Sequence, residues 1–169
     1  MKQIVFPCLW TNPISKYAFL FSLILCTYGL YGQTPTNFSG IWIQDPDKSD
    51  DFYKSFEVIY TITQTPQAFT VKQKLTLRNS EESITNDYTY TLDGKVTTME
   101  KEGGKERELA QWSADKKILT VRSTKTYGNE DVGFTETYSL SDNGLVLTAL
   151  KSNIIEGLPV VKQVFNKKQ

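Results

Sequence analysis

The sequence contains no histidine and only two cysteines among its 169 residues. Without histidine there is no Ser-His-Asp or Cys-His catalysis and no histidine-ligated metal. The 19 basic and 19 acidic side chains cancel, whereas a protein that binds nucleic acid normally carries an excess of positive charge on one face. These absences exclude several classes of enzyme and argue against nucleic acid as a partner.

Carboxylates do not replace the missing groups. Asp45, Asp47, Asp50 and Asp51 lie close together, but their spacing lacks the glycine and the terminal glutamate of an EF-hand loop. Nothing in the sequence places two carboxylates across a cleft, as glycoside hydrolysis requires, and the hydroxyl side chains have no evident activating base. We therefore predict a protein that is not an enzyme and has no catalytic residue, metal or cofactor.

The first 32 residues have the pattern of a secretory signal peptide. Lys2 and Lys16 precede an uncharged apolar run over residues 17–31, and small and polar residues follow it. That run is shorter than the ~18 residues of a membrane-spanning helix; the alternative is an uncleaved N-terminal anchor. We expect cleavage after residue 32, export across the inner membrane to the periplasm or the exterior, and a mature domain, residues 33–169, without stable membrane insertion.

The mature sequence alternates apolar and polar residues with the period of two that is typical of β-strands. The alternation is clearest over residues 56–62, 69–77 and 84–92, and turn residues separate such runs at short intervals. The pattern predicts about ten strands, at roughly 38–44, 55–64, 68–77, 83–92, 95–101, 105–113, 117–126, 132–141, 144–151 and 159–167.

The short connections predict that successive strands pair as hairpins. Asp93-Gly94, between Leu92 and Lys95, favours a two-residue type I′ turn. A long meander leaves open edges, and closure into a barrel removes them, whereas a two-sheet sandwich needs longer crossings. We therefore predict an all-β fold: a single antiparallel up-and-down β-barrel of about 8–10 strands.

The start of the mature domain resembles a known family. Asn37-Phe-Ser-Gly-Ile-Trp42 places Gly-x-Trp at the head of the first strand, and Asp45-Pro-Asp-Lys-Ser49 follows it. Both are similar to the opening of secreted bacterial lipocalin-like domains, which are calycin-type barrels. Tyr90-x-Leu-Asp-Gly-Lys95 and the segment 138–147 extend the resemblance. It implies a small barrel with one closed end, often with an apolar cavity, and no particular ligand.

The Gly-x-Trp residues have a physical interpretation. Gly40 would let the backbone pass close to a neighbour, and Trp42 would plug the closed end of the barrel. The resemblance also implies a basic residue that crosses over this tryptophan near the last strand, and both Lys162 and Lys167 are candidates.

The alternation turns eight candidate ligand-binding residues toward the barrel interior: Tyr60, Gln73, Asn86, Tyr88, Tyr90, Phe134, Glu136 and Tyr138. Tyrosine combines an apolar ring with a polar tip, which suits an amphipathic guest. Glu136 stands on an otherwise apolar face. It would anchor a cationic or hydroxylated ligand, pair with a basic residue such as Arg122, or face solvent at a bulge.

These observations lead to two hypotheses. The first is a secreted, monomeric, non-catalytic lipocalin-like barrel that binds a small hydrophobic or amphipathic molecule in its interior. The second is a filled barrel that serves as a protein–protein interaction module of the cell envelope. The second predicts no cavity above about 300 Å³ and a contiguous exposed apolar patch.

Overall fold

A computed structural model describes residues 33–101, 104–155 and 157–169, apart from the side chain of Phe52. The predicted signal peptide, residues 1–32, lies outside the described residues. Residues 34–169 form one structural unit. No helix in the described ranges is long and apolar enough to cross a membrane.

Ten β-strands follow one another along this unit. They are β1 (Gly40–Gln44), β2 (Phe56–Gln64), β3 (Ala68–Leu77), β4 (Ser83–Thr91), β5 (Thr97–Lys101), β6 (Gly104–Trp112), β7 (Ile118–Tyr127), β8 (Glu130–Leu140), β9 (Val146–Asn153) and β10 (Val161–Lys167). A single 3₁₀ turn, Asp51–Tyr53, interrupts the connection between β1 and β2.

The strands form one antiparallel sheet in the order β4-β3-β2-β1-β10-β9-β8-β7-β6-β5. Each strand pairs with its neighbours in the chain except β4 and β5, which are the two edges, and β1 also pairs with β10, which joins the two ends of the domain. The sheet curls into a nearly closed up-and-down barrel. The predicted fold class is therefore confirmed.

The predicted Asp93-Gly94 hairpin is wrong. A type I′ turn needs positive φ at both central residues, and Gly94 has a φ of 71° whereas Asp93 does not adopt positive φ. Instead, the Asp93 side chain accepts a hydrogen bond from the Lys95 backbone N–H, and the Leu92 N–H donates to the carbonyl of Gln67. The Leu92–Gln67 bond extends the pairing of β4 with β3 beyond the strand, and β4 and β5 are the two edges of the sheet.

Successive connections alternate between the two ends of the barrel because the sheet is an antiparallel meander. One end, which we call the closed end, carries residues 33–39 and the β2–β3, β4–β5, β6–β7 and β8–β9 connections. The opposite end, which we call the open end, carries the β1–β2, β3–β4, β7–β8 and β9–β10 connections.

Aromatic side chains pack the closed end. Trp42 and Phe38 are fully buried, and the Trp42 Nε1–H donates to the Phe38 carbonyl at 2.8 Å. Lys167, rather than Lys162, crosses the tryptophan, with its Nζ 5.2 Å from the ring centroid. Gly40 makes room for it, since a Cβ at this position would lie 2.9 Å from the Lys167 Cε. This geometry is compatible with a plug, and the role of Trp42 stays a prediction.

Candidate functional site: the barrel interior

A layer of polar side chains crosses the middle of the barrel. In the strand register Tyr60 of β2 faces Gln73 of β3, and Gln73 faces Asn86 of β4. The period of two turns all three toward the interior, together with Gln163 of β10. We call the layer of Tyr60, Gln73, Asn86 and Gln163 the polar layer.

The polar layer is a chain of hydrogen bonds that runs in one direction. The Asn86 Nδ2 donates to the Gln73 Oε1 at 3.1 Å, and the Gln73 Nε2 donates to the Tyr60 hydroxyl at 3.2 Å. The Tyr60 hydroxyl donates to the Gln163 Oε1 at 3.0 Å. The chain ends there, because the Nε2 of the buried Gln163 has no hydrogen-bond partner among the described residues. Within the same residues, both amide atoms of the buried Gln44 are unpartnered as well.

Glu136 is the buried charge beside this layer. It is only 6% exposed, so the interpretation that a bulge turns it to solvent is wrong. Burial raises the pKa of its carboxyl, and the charge of Lys151 and a hydrogen bond with Tyr138 oppose that rise. Arg122 is not its partner, since it faces Thr135 in the register and is exposed.

Lys151 brings a cation into the same space. It lies directly opposite Glu136 in the β8–β9 register, and its Nζ lies 3.9 Å from the centroid of the Phe134 ring.

Burial, followed by the charge of Glu136, raises the pKa of the Tyr60 and Tyr138 hydroxyls well above the usual value. Both tyrosines therefore stay neutral hydrogen-bonding groups at physiological pH.

Below the polar layer, toward the closed end, the interior is aromatic and tightly packed. The ring centroid of Phe69 lies 5.0 Å from that of Tyr138 and 5.9 Å from that of Phe38, both in edge-to-face arrangements. Phe38 also stacks on Trp112 at 5.9 Å. The described aromatic side chains pack this floor closely, so a ligand would have to enter from the opposite side.

Above the polar layer, toward the open end, the interior-facing side chains are apolar. Phe56 faces Leu77 in the register, and Leu75 faces Ile84. With Glu82 and Ser83 these residues line a concave space of about 520 Å³. We call it the apolar mouth. Its volume lies in the range of small-molecule sites, and Tyr53 and Tyr88 pack nearby against the core.

The space beside the polar layer is small. A cavity of about 10 Å³, roughly the room for one water molecule, is lined by seven of the eight candidate ligand-binding residues together with Val71 and Lys151: Tyr60, Gln73, Tyr88, Tyr90, Phe134, Glu136 and Tyr138. The eighth, Asn86, reaches this group through its hydrogen bond to Gln73. The structure thus brings the candidate residues together around a nearly filled interior.

Four features of this interior were not predicted from the sequence: Lys151, Gln44, Gln163 and the apolar mouth. Lys151 shares a face with Leu147 and Ala149, both buried, so period-two alternation already pointed it inward. Alternation also turned the apolar side chains of the mouth inward, but the size of the space between them depends on the pairing of three strands. No group of three or more metal-ligating side chains gathers in the described part of the chain.

Comparison with known proteins shows the fold. No protein-family model matches the sequence, and the search of curated proteins gives no significant match. Among solved structures, the REP1-NXSQ fatty acid transporter matches with a TM-score of 0.51 at 13% identity, over 78% of this chain and 96% of that one. A Schistosoma mansoni fatty acid binding protein in complex with arachidonic acid gives 0.52 at 11%, over 78% and 96%.

A third structure, secretory abundant heat soluble protein 4 from Ramazzottius varieornatus, matches with a TM-score of 0.52 at 11% identity, over 81% of this chain and 99% of that one. All three likenesses span nearly the whole of the neighbouring chain, and at these identities they concern the fold alone. The ten-stranded meander therefore has a nearly closed, calycin-like β-barrel fold, similar to the fold of the fatty acid transporter and the fatty acid binding protein.

Proposed function

We propose that this barrel binds one small amphipathic molecule and performs no chemistry on it. The observation that carries the proposal is the stacking of an apolar mouth of about 520 Å³ on an interior layer of hydrogen-bonding side chains. The apolar part of the guest lies against Phe56, Leu75 and Ile84. Its polar group points down toward Tyr60 and Gln73.

Two further observations support this function. The unpartnered amide atoms of Gln44 and the unpartnered Nε2 of Gln163 offer hydrogen bonds that the described residues do not use, and a buried polar group is stabilised when it gains a partner. Two of the neighbouring structures are described as a fatty acid transporter and a fatty acid binding protein. Those descriptions suggest the same general class of guest for this chain.

Binding requires side chains at the top of the polar layer to move. The cavity of about 10 Å³ is too small for a head group, but Tyr88, Phe134 and Lys151 are only partly buried. Rotation of these three side chains toward the open end would join the cavity to the apolar mouth. We further propose that the protein acts as a secreted monomer in the periplasm or outside the cell, which rests on the N-terminal signal-peptide pattern.

Titration with Nile red, an uncharged apolar fluorophore, tests the proposal on the full chain. Ile84→Glu replaces an apolar side chain of the mouth with a charge and should weaken binding by at least about tenfold, because the bound fluorophore would cover the carboxylate and remove it from water. Ile43→Glu is the matched control, because Ile43 is 43% exposed and lies on the outer face of β1. Equal affinities for the two variants would refute binding in the mouth.

The nearly filled interior favours the second candidate function, an interaction module of the cell envelope. Native mass spectrometry of the protein, purified without detergent, distinguishes the two. A reproducible small-molecule adduct after incubation with an envelope lipid extract supports the ligand-binding barrel. A mass that stays free of adducts, together with no response to Nile red, supports the filled barrel.

A further inference from the structure

Half of the exposed large apolar side chains in the described residues lie at the open end of the barrel. Of the twelve large apolar side chains that are exposed in the described residues, six lie there: Leu77, Ile84, Tyr127, Ile155, Leu158 and Val160. We call these six the open-end rim. Leu77, Ile84 and Tyr127 lie at the open-end termini of β3, β4 and β7, and the other three lie in the β9–β10 connection.

The β9–β10 connection is the most apolar part of this rim. Its sequence from 154 to 160 is Ile-Ile-Glu-Gly-Leu-Pro-Val, with a single charged residue. Leu158 is 51% exposed and Val160 is 56% exposed. Connections between strands are normally polar because they face water, so an apolar connection beside a binding mouth points to a partner that removes it from water.

We propose that the open-end rim docks on the surface of a zwitterionic lipid bilayer. The rim consists of side chains from the ends of three strands and from one connection, not of one flat face. A fluid interface accommodates such separate side chains, because it has no fixed shape of its own, whereas a protein partner would need a complementary surface around the opening.

The charges at the open end indicate which lipid head groups the rim would contact. The β1–β2 connection carries four aspartates against two lysines, and the β3–β4 connection carries Glu81 and Glu82 against Arg78. Acidic side chains are repelled by the negative potential of anionic lipids. Docking is therefore driven by apolar insertion and is weakened when anionic lipid is added.

This inference goes beyond ligand binding and does not depend on it. A bilayer dissolves apolar and amphipathic molecules, so docking would bring the mouth to their source. A barrel that holds no guest would dock in the same way, because Leu158 and Val160 do not line the interior cavity or the apolar mouth.

Co-flotation of the full chain with phosphatidylcholine vesicles tests the docking. Leu158→Ser/Val160→Ser should lower vesicle binding by at least about fivefold, because apolar area is lost from the inserted loop. Val96→Ser/Leu145→Ser is the matched control: it makes the same two exchanges at the closed end, at residues that are 59% and 44% exposed. The N-terminal segment is common to all variants and contributes equally to each.

A site-specific probe separates the rim from the rest of the chain. Tryptophan introduced as Leu158→Trp should be quenched by brominated phosphatidylcholine, whereas tryptophan introduced as Leu145→Trp should not be. Phosphatidylserine added to the vesicles should reduce binding. Equal losses for the two serine pairs, equal quenching at both ends, or tighter binding to the anionic vesicles would overturn the proposal, whatever the Nile red titration shows.

Discussion

Replacement of Trp42 measures how much the closed end contributes to stability. The side chain is fully buried among Phe38 and its neighbours, and truncation of a buried Trp to Ala costs about 3–5 kcal/mol. Trp42→Ala also leaves the Phe38 carbonyl without its 2.8 Å donor. An unsatisfied buried acceptor adds a penalty of about 1–3 kcal/mol, and because the two effects overlap we expect a total loss of about 4–6 kcal/mol.

Trp42→Phe separates the two contributions. It keeps most of the ring in place but removes the Nε1–H, so the expected loss falls to about 1–3 kcal/mol. The cation–π contact with Lys167, at 5.2 Å from the ring centroid, weakens without being lost, since phenylalanine binds cations less well than tryptophan.

Urea unfolding followed by circular dichroism gives these free energies without relying on the fluorescence of the residue that is changed. Ile41→Ala is the control, because Ile41 is 41% exposed on the same strand, and surface exchanges usually change stability by less than about 0.5 kcal/mol. A loss below about 1 kcal/mol for Trp42→Ala, far under the range for buried tryptophan, would refute the plug.

Two further substitutions test the packing and the buried charge. Gly133→Ala should lower stability by about 2–3 kcal/mol in the same urea assay, because the added Cβ would lie 2.1 Å from the Ser123 carbonyl oxygen; unchanged stability would mean that β7 and β8 are not so close. Burial raises the folded-state pKa of Glu136, so the native protein loses stability as the pH rises above the ordinary carboxyl value of 4.5. Glu136→Gln does not titrate and should gain stability relative to the natural protein between pH 4 and pH 8; a constant difference across that range would contradict the assignment.

Local sequence patterns predict the strands and the faces of this barrel well. Alternation over residues 56–62 and 69–77 turned Tyr60, Phe69 and Gln73 inward, and all three lie on the interior side of the sheet. Period-two alternation depends only on which residues are adjacent in the chain. It is therefore visible without knowledge of the pairing between strands.

Features that depend on distant parts of the chain were not predictable in the same way. The choice between Lys162 and Lys167 is fixed by the β1–β10 register, in which Trp42 faces Lys167. The Asp93-Gly94 turn failed as a hairpin because Leu92 bonds to Gln67, a residue of another turn. The volume of the interior likewise depends on how side chains from several strands share the same space, and alternation does not report it.

The free edges of β4 and β5 bear on how wide the barrel can become. No backbone pairing joins these two strands within the described residues, and a hydrogen bond of 3.1 Å between the hydroxyls of Thr91 and Thr97 links them beside the closed end. The sheet is therefore a coiled open sheet with two unpaired edges and not a fully closed barrel. A fully closed barrel widens only when backbone hydrogen bonds break, whereas an open sheet can uncoil with all of its backbone hydrogen bonds intact. The circumference at the open end can therefore grow to fit an incoming molecule without the loss of any strand pairing.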